Sequence, residues 1–148
     1  PTTALDVTVQ AQILRLLLDL RDRHGLSLIM ITHDLGVVAQ TCDSIAVMYA
    51  GRLCEHGSKR DVLARARHPY TRGLIDCQPA SSAGSGLLRT IPGQPPLLDA
   101  LPVGCRFHAR CGHAGAGCVE TLPLMRSMGV AHEAACHYPL ADSRGAVS

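Results

Sequence analysis

Residues 26–31 form an apolar run, broken only by Ser27, that stops abruptly at Thr32-His33-Asp34. A run this short has apolar residues at both odd and even positions, so neither of its faces suits water. It predicts a strand buried on both sides, as in a parallel sheet covered by helices. Upstream, Val9, Ile13, Leu16, Leu17 and Leu20 recur at helical spacing. They predict a helix over 6–24, with Asp6 or Thr8 as its cap and Gly25 as its stop. A helix leading into a buried strand is the unit of an α/β fold.

Beyond that strand, residues 34–42 read as a short helix, and 44–50, 51–52 and 53–56 as strand, tight turn and strand. Residues 58–67 are patterned as a helix, and Pro69 is placed to open another over 70–77. Residues 79–86 are rich in Ser, Ala and Gly, and the prolines of Ile91-Pro92-Gly93-Gln94-Pro95-Pro96 exclude helix and central strand. The expected organisation is an α/β domain over 1–78, a linker over 79–90, a small irregular Cys-rich domain over 91–140 and a tail over 141–148. No apolar stretch is long enough to span a membrane. A net charge of +2 without a dense basic block argues against a nucleic-acid partner. The opening residues carry no signal-peptide pattern and no Met, so the chain is expected to be the C-terminal portion of a longer cytoplasmic protein.

Seven cysteines are unevenly spread. Cys42, Cys54 and Cys77 lie among apolar segments, where a small buried side chain is the plain reading. Cys105, Cys111, Cys118 and Cys136 fall together in a stretch with few periodic apolar residues, which needs a staple to hold one structure. Thiolates are soft ligands, so a [4Fe–4S] cluster and a structural zinc both suit four of them. The absence of closely spaced cysteine pairs favours the cluster over zinc. The alternatives are a zinc site that includes His108, His113 or His137, two disulfides, or free thiols.

His33 stands at the carboxyl end of the expected strand, the edge where open α/β sheets bind ligands. Taken alone, it reads first as a surface histidine just past a strand. Pro1-Thr2-Thr3-Ala4-Leu5-Asp6, then a helix, a strand and Ile31-Thr32-His33-Asp34, is an order that resembles ABC-type ATPases. The first motif is similar to their D-loop and the second to their switch-histidine loop. The resemblance implies that Asp6 sits near nucleotide at the interface of two ATPase domains. It also implies that His33 is a catalytic residue touching the ATP γ-phosphate.

His68-Pro69-Tyr70-Thr71-Arg72 and the 91–96 motif resemble the oligopeptide and dipeptide importer branch of that family. So do the sequences around Cys105, Cys111 and Cys136, and the branch implies a [4Fe–4S] cluster on Cys105, Cys111, Cys118 and Cys136. Taken singly, the first motif is ordinary helix-start chemistry and the second a rigid linker. The resemblance implies a complete subunit that uses ATP and Mg²⁺ at the cytoplasmic face of the membrane. Its partners would be a second ATPase subunit, two membrane permeases and, indirectly, an extracytoplasmic peptide-binding protein. These residues hold no Gly-x-x-x-x-Gly-Lys-[Ser/Thr] loop, since Ser58 rather than Gly precedes Lys59, the sole lysine. Nor do they hold a signature motif or an Asp-Glu pair, so no ATP hydrolysis is expected of them alone. The rival expectation is a stand-alone Cys-rich redox or regulatory metal module that uses no nucleotide.

Overall fold

The computed structural model describes residues 7–78 and 90–142, which fall in two compact units, 1–42 and 43–148. The 1–6 motif with Asp6, the expected linker over 79–89 and the tail from 143 lie outside the described residues.

In the first unit, α1 (Val7–His24) ends where expected. Gly25 takes φ +63°, and the N–H of Leu26 donates to the Arg21 carbonyl at 3.0 Å. This left-handed stop satisfies a carbonyl at the helix end, where Arg21, Arg23 and His24 also meet the negative pole of the helix dipole. α2 (Leu35–Thr41) starts on Asp34, whose Oδ1 accepts the N–H groups of Gly36 at 2.8 Å and Val37 at 3.3 Å.

The buried parallel strand expected over 26–31 is not formed. These residues take no regular structure, and Ile29 and Ile31 are 91% and 96% exposed. Periodicity reports that a segment suits burial, but a strand also needs a neighbour for its N–H and C=O groups. Among the described residues, none pairs with this run.

The second unit is built on a four-stranded antiparallel sheet in the order β1-β2-β4-β3. The chain is thus α/β, with a small antiparallel sheet in place of the parallel one expected. β1 (Ser44–Tyr49) alternates outward and inward, burying Ile45, Val47 and Tyr49. It turns at Ala50 and Gly51, both at positive φ as a two-residue hairpin requires, into β2 (Arg52–Ser58). Ser58 then caps α3 (Lys59–Ala64) by accepting the N–H of Asp61 at 3.1 Å. α4 (Pro69–Asp76) opens on the expected proline.

After residue 90 the chain returns to the same sheet. A short 3₁₀ turn (His108–Arg110) and α5 (Ala116–Glu120) lead to β3 (Arg126–Gly129) and β4 (His132–Ala134). β4 pairs with β2 through Glu55–Ala134 and Gly57–His132. Strands on either side of the 79–89 stretch therefore share one sheet. No helix among the described residues is long and apolar enough to cross a membrane.

Candidate functional site

Glu55 points into the protein from β2 and is fully buried. A buried carboxylate is costly unless its oxygens find donors. Here Oε1 accepts the N–H of Arg67 at 2.7 Å and the Nε2–H of His132 at 2.7 Å, and Oε2 accepts the N–H of His68 at 3.0 Å. One side chain thus joins β2, the turn before α4, and β4.

That turn is the His68-Pro69-Tyr70 motif. Pro69 sits in the first turn of α4, and His68 caps the helix by accepting the Tyr70 N–H on Nδ1 at 3.0 Å. Burial pushes the His68 imidazole down to about 4, against the pull of the nearby Glu55 carboxylate, so the ring stays neutral and keeps its acceptor. Its ring lies 6.0 Å from that of Phe107, which also packs against Tyr49 at 5.2 Å and Tyr70 at 5.2 Å. Three of the four Phe and Tyr residues of this chain are gathered at this point, and Phe107 lies between Cys105 and Cys111 in sequence.

Arg110 fixes the proline-rich motif to the same place. Its Nε donates to the Pro92 carbonyl at 2.8 Å, Nη2 to the Ile91 carbonyl at 2.9 Å, and Nη1 to the Tyr49 hydroxyl at 3.1 Å. The segment is therefore held at both ends of a planar fork, a geometry suited to guanidinium. Arg106 likewise donates to the Ala50 carbonyl at the β1–β2 turn.

Cys105, Cys111, Cys118 and Cys136 lie within electrostatic reach of one another and are all free thiols. Burial raises the thiols of Cys105 and Cys111, and pushes Cys136 up to about 11; neighbouring thiols add to each rise. Backbone N–H groups two residues ahead oppose this: Phe107 for Cys105, His113 for Cys111 and Tyr138 for Cys136. Each of these N–H groups pulls its thiol back towards thiolate, by less than burial raises it.

Close packing brings the segments together. The N–H of Cys105 donates to the Cys118 carbonyl at 2.8 Å. A methyl group on Gly104 would overlap the carbonyl oxygens of Cys118 and Val119, so only glycine fits there. Ala135 donates to the Cys54 carbonyl at 2.8 Å and sets Cys136 beside β2.

No group of three or more His, Cys, Asp or Glu side chains among the described residues stands in metal-holding geometry. The arrangement itself therefore supports neither iron–sulfur nor zinc, and what suits a soft metal is only the donor chemistry of the four thiols. The histidines suit this set less well. His137 Nε2 donates to the Thr121 carbonyl at 2.9 Å, and His108 Nδ1 to the Cys105 carbonyl at 2.7 Å. Cys54 is buried against Tyr49 and Phe107, with its thiol pushed by burial up to about 12, as befits an inert core cysteine. Cys42 and Cys77 are half-buried.

His33 is exposed, between Thr32, whose Oγ1 accepts the Asp34 N–H at 3.0 Å, and the Asp34 cap of α2. Glu55 and His132 were not among the expected site residues. A glutamate in a strand and a histidine beside Gly129 carry no local mark of burial, and their pairing spans 77 residues.

Residues 54–118 match the family described as "Oligopeptide/dipeptide transporter, C-terminal region". The chain is 51% identical over 137 residues to a probable peptide ABC transporter ATP-binding protein of Sinorhizobium fredii, covering 92% of this chain and 41% of the relative. It is 52% identical over 124 residues to the oligopeptide transport ATP-binding protein of Salmonella typhimurium, covering 84% of this chain and 37% of the relative. To a probable D,D-dipeptide transport ATP-binding protein of Escherichia coli it is 49% identical over 140 residues, covering 94% and 42%. The chain thus spans about two-fifths of the length of these relatives. Its Glu55-anchored His-Pro-Tyr turn and three of its four clustered cysteines lie inside the matched region, and the chain belongs to the oligopeptide/dipeptide transporter family as a relative of its ATP-binding proteins.

Proposed function

We propose that this chain is the C-terminal part of a subunit that couples ATP binding and hydrolysis to peptide import, working at the cytoplasmic face of the membrane. The observation that carries the proposal is the coincidence of the family match over 54–118 with the Glu55, His68 and Phe107 assembly. In the complete subunit His33 touches the γ-phosphate and Asp6 lies at the interface with a second ATPase subunit. Its exposure and its place just before a capped helix leave the His33 ring free to meet such a group. ATP with Mg²⁺ supplies the phosphoryl group and its charge-stabilising cation. Two permeases are the direct membrane partners, with the peptide-binding protein acting through them. These residues alone do not hydrolyse ATP, because they hold no phosphate-cradling loop.

Cys105, Cys111, Cys118 and Cys136 are read as the ligands of a [4Fe–4S] cluster, with zinc as the alternative. A bound cluster supplies four metal–thiolate bonds that close residues 91–140 into one structure, so binding energy becomes folding energy. The chain's own contribution is to bury the sulfurs and to aim the N–H groups of Phe107, His113 and Tyr138 at them.

The transport reading is tested in cells that lack their peptide-importer ATPase. A complete subunit carrying these residues restores growth on a required peptide, and His33→Ala in that subunit abolishes it while the subunit still assembles. Full transport with His33→Ala would remove His33 from catalysis.

A further inference from the structure

Cys136 reaches the other three thiols from a distant part of the chain, its neighbours held by the His137–Thr121 bond at 2.9 Å and by the Ala135 N–H on the Cys54 carbonyl at 2.8 Å. Its position follows from β4, and β4 is held on β2 by a short ladder and by the His132–Glu55 bond at 2.7 Å. The opposite side of the site is set by Phe107, whose ring rests on His68. The backbone of His68 is in turn held by Glu55 Oε2 at 3.0 Å. One carboxylate therefore contributes to the placement of both halves of the four-cysteine set.

We propose that Glu55 is a positioning residue for the four-cysteine site, registering Cys136, two residues beyond β4, against Cys105 and Cys111 on the Phe107 loop. The proposal rests on reading those cysteines as a ligand set, but it concerns where the sulfurs meet rather than what they bind. A carboxylate is needed because three donors converge on it. Glutamine of the same volume would turn an amide N–H towards at least one of them, leaving a buried donor without an acceptor. On the other side of the bond, glutamine at position 132 can still offer an N–H, whereas leucine cannot.

The test uses the metal-free 148-residue chain and the azo oxidant diamide. Two thiols give two electrons and two protons to the N=N bond and join as a disulfide, so the rate of linkage reports how often two sulfurs meet. Linkage of Cys136 to Cys105, Cys111 or Cys118 is followed by peptide mass mapping, with circular dichroism at the same temperature as the check on folding. The wild type and His132→Gln are expected to link at the same rate. His132→Leu and Glu55→Gln are expected to be slower by about tenfold, which corresponds to about 1.4 kcal/mol of lost anchoring. Wild-type rates in a folded His132→Leu or Glu55→Gln variant would overturn the proposal. So would a His132→Gln variant as slow as His132→Leu, since the donor would then not be what matters. Should His132→Leu fail to fold, the comparison of His132→Gln with Glu55→Gln decides by the same rates. A wild-type chain that takes up no metal but shows the expected split in rates would defeat the cluster and leave the positioning role standing.

Discussion

Glu55 Oε1 and His132 Nε2 meet at 2.7 Å across 77 residues of sequence, in a place closed to water. The bond joins the β1–β2 hairpin to the last strand of the sheet, and the same carboxylate accepts the N–H groups that open the His-Pro-Tyr helix.

Removing that carboxylate is expected to be severe. Glu55→Ala leaves the N–H groups of Arg67 and His68 and the His132 ring buried without an acceptor. The expected loss is about 3 kcal/mol or more, given about 1–3 kcal/mol for each buried group left unsatisfied. Urea unfolding of the two proteins measures it, and a difference below about 0.5 kcal/mol would contradict the role assigned to Glu55.

The His68 ring makes stability depend on pH. Its folded value of about 4 lies below the ordinary 6.5, so as pH falls the unfolded chain takes up the proton first. Stability from this group is full above about pH 6.5, declines between 6.5 and 4, and has lost at most about 3 kcal/mol below that. His68→Asn keeps a side-chain cap but has no such proton. The urea midpoint of wild type is expected to fall more steeply than that of His68→Asn between about pH 7.5 and about pH 4.5. Parallel profiles would exclude His68 as the source.

Two glycines near the cysteines separate packing from composition. A Cβ at position 104 runs into the backbone of Cys118 and Val119, whereas one at 112 meets nothing within 4 Å. Gly104→Ala is expected to cost about 2 kcal/mol or more, and Gly112→Ala less than about 0.5 kcal/mol. Thermal unfolding compares them, and equal costs would rule out the close approach of the two loops.

Ile29 and Ile31 expose apolar side chains to water in a segment of no regular structure, an apolar surface open to association between chains. Ile29→Lys with Ile31→Lys is expected to reduce light scattering at a given concentration without moving the urea midpoint of the second unit. Unchanged scattering would show that association arises elsewhere.

The parts of this fold that were legible in the sequence are those with local causes. Gly25 stops α1 because it reaches positive φ, Asp34 starts α2 through its own side chain, and Pro69 opens α4. Residues 26–31 misled because an apolar run declares a preference for burial and says nothing of whether a partner strand is at hand. β3 and β4 escaped notice because strands of four and three residues carry too few positions for a period. The cysteines were visible as a cluster in sequence. What gathers their segments was not, because Glu55 and Gly104 act through contacts with residues far along the chain.

The central claim is that these four cysteines act together as ligands, and metal analysis after anaerobic expression tests it most directly. Roughly four irons and four sulfides per chain, with a broad visible absorption lost on Cys105→Ser, is the expected result. Zinc in place of iron would keep the ligand set and change the metal. Folded protein with neither iron nor zinc would contradict the claim and leave the four cysteines as ordinary thiols.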